Sequence, residues 1–183
     1  MGRKAVWSVV ALAVILALPA MASAQTPSWQ DVQVADIEQM KDKWIALAGA
    51  FDENDYDWEP MDGVRSVRQV LGLAITEANL FPTAWGAGPG PNAAAGFGAE
   101  LERTAALSQA DMIAELGTSF DHLIEVVQGM DRETRMSESS YFGRDMPMHA
   151  NIATAMSDMH EHLGQLIAYA RTNHVVPPWS TGN

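Results

Sequence analysis

Apolar residues return every three or four positions in four long stretches of this chain, the spacing of one buried helix face. The first stretch, about 30–51, carries Ile37, Met40, Trp44, Leu47, Ala48 and Phe51. The second, about 66–85, carries Val67, Val70, Leu71, Ala74, Ala78 and Phe81, and Ser66 is placed to cap it. The third, about 108–128, carries Met112, Ile113, Leu116, Phe120, Leu123, Ile124 and Val127; Ser108 precedes Asp111 by three, close to a capping box. The fourth, about 148–172, carries Ile152, Met156, Met159, Leu163, Leu166, Ile167 and Ala170. Between them lie polar, glycine-rich and proline-rich segments. "GAGPGPNAAAGFG" at 86–98 reads as a flexible loop, and "SSYFGRDMPM" leaves room for a short extended piece. The pattern predicts an all-α four-helix bundle with long connecting loops. Those loops are long enough to cross the bundle, so they leave the up-down order open.

Residues 1–24 follow a different pattern. Arg3 and Lys4 precede an apolar run over 6–18, Pro19 breaks it, and Ala22-Ser23-Ala24 offers a small-residue cleavage site. These are the parts of a secretory signal peptide. The apolar run falls short of the roughly 20 residues of a membrane-spanning helix. The expectation is export to the periplasm or the cell exterior, with 25–183 as one domain and no membrane attachment after cleavage.

Charge narrows the function. The whole chain has 11 basic and 23 acidic residues; without Arg3 and Lys4 the balance is 9 against 23, a formal charge of −14. Such a surface repels phosphate backbones, so nucleic acid is not an expected partner. The chain has 0 cysteines, which removes disulfides, thiolate ligands and cysteine nucleophiles. No G-x-S-x-G, Walker loop, G-x-G-x-x-G or H-E-x-x-H occurs. The 11 methionines raise copper, but Met40, Met112, Met156 and Met159 stand on stripe positions, where they fill a core.

The histidines carry the remaining chemistry. His160 and His162 lie two apart on the fourth helix, so they point about 200° apart and cannot chelate one ion from that helix. They flank its stripe on opposite edges, with Glu161 outward. His162 does have a partner at the productive spacing of four, Asp158. The pair reads equally as two metal ligands or as an ordinary carboxylate–imidazole contact. His122, His149 and His174 read as structural. For His174 the reason is that Asn173 or His174 tolerates a left-handed helix end.

Three segments, "MHEHLGQLIAYARTNHVVPPWS" at 159–180, "YDWEPMDGVRSVRQVL" at 56–71 and "SFDHL" at 119–123, resemble the DinB-like superfamily of bacterial four-helix-bundle proteins. The resemblance spans about 32–180, and its tail pattern H-x-G-Q-x-x-x-Y-x-R is its most specific part. It implies a divalent metal, often zinc or nickel, on three histidines. It also implies metal-assisted hydrolysis or thiol-linked transfer as chemistry. Carried onto this chain, those histidine positions fall on Leu73, Asp158 and His162. Leucine cannot bind a metal, and aspartate changes the donor from nitrogen to oxygen. Glu77, one turn after Leu73, is on the same side of its helix and offers a third donor.

The leading expectation is therefore an exported bundle with a degenerate metal site, acting as a small-ligand or partner-binding protein. Glu77 and Asp158 would then stay solvated at the mouth of a vacant cleft. The competing expectation is a metal-dependent hydrolase or transferase rewired around Glu77, Asp158 and His162. A homodimer is a further option.

Overall fold

The computed structural model describes residues 26–180. The segment 1–24, expected from sequence to be a signal peptide, lies outside them. Four long helices dominate: α1 (Trp29–Ala50), α2 (Val67–Ala84), α4 (Gln109–Gly129) and α6 (Met148–Thr172). Two short helices, α3 (Phe97–Ala105) and α5 (Arg132–Met136), and one hairpin, β1 (Glu138–Tyr141) with β2 (Arg144–Pro147), fill the connections. Among the described residues no helix is long and apolar enough to cross a membrane.

The starts of the helices are written locally. Ser28 with Asp31 and Ser66 with Gln69 form reciprocal capping boxes at α1 and α2. Ser108 accepts from the Asp111 backbone at the start of α4. Beyond the starts, packing takes over. All six expected stripe residues of α1 and all six of α2 are buried. On α4 and α6 the stripes are buried except Ile113, Ile124 and Ile167, which pack half-buried against the same core. The four stripe methionines are in that core.

Both α1 and α2 pack against α4 and α6. The order around the bundle is therefore α1, α4, α2, α6, and α1 and α2 stand on opposite corners. The link from α1 to α2 crosses an end of the bundle and is pinned there. Tyr56, fully buried, donates from its hydroxyl to the Ala48 carbonyl at 2.9 Å. Burial pushes its hydroxyl pKa up to about 12.

The segment expected as a flexible loop over 86–98 is more ordered than its composition implies. It runs into α3, which covers the outer side of α2. Here Glu100, fully buried, accepts from Asn79, from the Ala94 backbone and from Arg103, all within 2.7–2.8 Å. Arg103 bridges on to Glu115 of α4. Gly72 makes the close approach of the two helices possible: a Cβ there would meet Thr104 Oγ1 at 2.8 Å. Covered on both sides, α2 buries Gly72, Leu73, Thr76, Glu77 and Asn79 besides its stripe. At the end of α6 the left-handed residue is His174, with φ 59°, while Asn173 stays at −89°.

Candidate metal centre

Two helices build the centre. On α6, Asp158 and His162 stand four apart and project together toward α2. On α2, Glu77 faces them. One ligand atom from each of Glu77, Asp158 and His162 lies within 4.8 Å of the others. His162 Nε2 and Glu77 Oε1 are 3.3 Å apart. Leu73 is buried one turn before Glu77 and contributes apolar surface.

Glu77 is where the degenerate-site expectation needs correction. It was expected solvated at a cleft mouth; it is 3 % exposed, on the face of α2 that packs against α6, where His162 meets it. Its Oε2 is buried with no hydrogen-bond partner. Burying a carboxylate without partners is unfavourable, and the protein carries that disadvantage here. Asp158 and His162 are half-buried.

The electrostatics follow. Burial pushes the Glu77 carboxyl above its usual range; His162 opposes this and the Asp158 charge adds to it. His162 is raised from its ordinary 6.5, chiefly by its contact with Glu77, with burial working against and the Glu77 and Asp158 charges helping. Glu77 and His162 thus each hold a proton more firmly than usual at one place. A cation could take its place. The donor set fits a divalent ion: three protein ligands, one of them an orphaned buried oxygen, with further positions left open. It differs from three histidines in offering two oxygens of harder character.

The remaining histidines lie elsewhere, as the helical phase required. His160 Nε2 meets Asp36 Oδ2 of α1 at 3.0 Å, on the opposite edge of α6. His122 contacts the Gly88 carbonyl at 2.9 Å. His149 packs edge-on against Trp29. Sequence reasoning missed Tyr141, whose hydroxyl donates to Asp158 Oδ2 at 3.2 Å. It comes from the hairpin, and the extended "SSYFGRD" run gave no sign of what it would reach.

The bundle architecture itself is similar to that of solved structures. A DinB-like protein from Bacillus cereus superposes with a TM-score of 0.65 at 13 % identity, covering 80 % of this chain and 93 % of that one. A DinB-like protein from Bacillus subtilis gives 0.61 at 17 % identity, covering 79 % and 93 %. No family model and no curated protein sequence matches. The chain has the DinB-like fold.

Proposed function

We propose that this is an exported DinB-like protein that holds a divalent metal ion between α2 and α6 through Glu77, Asp158 and His162. The activity class we assign is metal-assisted hydrolysis or thiol-linked transfer. The observation that carries the reading is the orphaned Glu77 Oε2, buried beside two other ligand atoms. An acceptor so placed is stabilised by a cation more than by anything the neighbouring side chains supply.

In this reading the bound ion supplies the acidity that turns a coordinated water or thiol into a nucleophile near neutral pH. The protein's own residues do the rest. Glu77 and Asp158 supply negative charge and His162 supplies its ring nitrogen. Burial of Glu77 keeps water from one side, and Leu73 keeps that wall apolar. Zinc and nickel remain the expected ions from the family resemblance. The test is metal analysis of protein purified without a histidine tag. About one equivalent of a divalent metal per chain is expected; metal-free protein that stays so after incubation with zinc and nickel overturns the reading.

A second reading has its own support. The Glu77–His162 pair at 3.3 Å can hold a proton where the ion would sit. The bundle would then be a metal-free binding protein for a small ligand or a partner, a second copy included, and a co-purifying ligand in metal-free protein would favour it. Export rests on the basic, apolar and small-residue order of 1–24. N-terminal sequencing of the mature protein tests it, with Gln25 expected first.

A further inference from the structure

Tyr141 closes the β1–β2 ladder, paired with Arg144. Phe142 and Gly143 form the two-residue turn between them, both with positive φ, 46° and 78°. Glycine takes this conformation freely; phenylalanine does not, and asparagine or glycine would serve the turn better. The Phe142 side chain is also 81 % exposed, so core burial does not explain it. What it does is stand edge-on to the Tyr141 ring, at 4.7 Å between centroids. Phe81, one turn after Glu77 on α2, meets the same ring at 6.0 Å. Tyr141 is thus braced by two rings, and its hydroxyl is aimed at Asp158 Oδ2, 3.2 Å away.

We propose that Tyr141 is a positioning residue of the metal centre, fixing the Asp158 carboxylate so that its second oxygen faces Glu77 and His162. The inference rests on the metal reading above. Its physical basis is a conflict at Asp158. Half-exposed and close to the Glu77 charge, that carboxylate gains by rotating toward water. A hydrogen bond from a braced phenol holds it inward. Ligating carboxylates are themselves usually hydrogen-bonded, and losing such a partner weakens metal binding by about 10–100-fold. The hairpin does not depend on Tyr141 for its own docking. Asn151 of α6 donates to Ser139 Oγ at 3.1 Å and accepts from Trp85 Nε1 at 3.1 Å, which ties β1 to the bundle independently.

The probe is cobalt(II), whose visible absorption reports the geometry of its ligands. Wild type, Tyr141→Phe and Phe142→Asn are titrated with cobalt, and the metal-free proteins are melted in parallel. Tyr141→Phe is expected to weaken cobalt at least about 10-fold and to change the absorption bands, with little change in metal-free melting. Phe142→Asn, which suits the turn but removes one brace, is expected to fall between. A Tyr141→Phe variant that binds cobalt with wild-type affinity and spectrum overturns this inference and leaves the metal reading intact. So does one whose loss is confined to melting temperature. Wild type that binds no cobalt overturns both.

Discussion

At the scale of the residue, Glu77 and His162 share one feature: each binds a proton more firmly in the folded protein than in the open chain. The signs are the same. Because the folded pKa of His162 is raised above 6.5, its contribution to stability is complete below about that pH and is lost as pH climbs through the raised value. Glu77, raised from 4.5, behaves likewise from a lower starting pH. The metal-free protein is therefore expected to lose stability as pH rises from the acid side of 6.5 into the alkaline range. His162→Ala is expected to flatten that slope. Denaturant melts across pH on both proteins check this; a wild-type curve rising over the same range would contradict it. Some of this was legible in the sequence. Asp158 and His162 were paired by their spacing of four, and Glu77 by its place one turn after Leu73. The burial of Glu77 was not, because it depends on how closely α6, a helix far along the chain, docks against α2.

At the scale of the element, helical phase carried most of the information. The four long stripes are the core, and the α6 phase separates His160, bound to Asp36 on α1, from His162. Met156 and Leu163 are buried on that stripe, and Glu161 is exposed. Met156→Asp and Leu163→Asp are each expected to unfold the bundle by burying an unpaired charge. Glu161→Ala is expected to change stability by less than about 0.5 kcal/mol. Circular dichroism melts decide it, and equal tolerance at all three positions would mean the phase is wrong. The short elements were the illegible ones. In α3 the stabilising groups are charged or hydroxylic, namely Glu100, Arg103 and Thr104, so no apolar stripe announces it. What holds it is Asn79 and Glu115 from other helices. The hairpin showed only as an extended run, since a two-stranded ladder depends on what it docks against.

At the scale of the whole molecule, the chain places α2 between α4 and α6 and then covers its remaining side with α3. A helix so enclosed needs a reason to keep a carboxylate inside it. On the proposed metal reading, a leucine at 73 and a buried glutamate at 77 put the α2 ligand one turn along from the position the family resemblance implies. The ring order of the helices was not readable from loop lengths, because every connection is long enough for either path. The overall bundle was readable, because its stripes and the tail pattern at 162–171 agree. The most direct measurement of the central claim is isothermal titration of zinc into untagged wild-type protein and into Glu77→Gln, a substitution that keeps the side chain's size and removes its charge. One ion per chain in the wild type, with binding at least about 10-fold weaker in Glu77→Gln, is the expected result. Equal binding by the two proteins, or no binding by either, would contradict it.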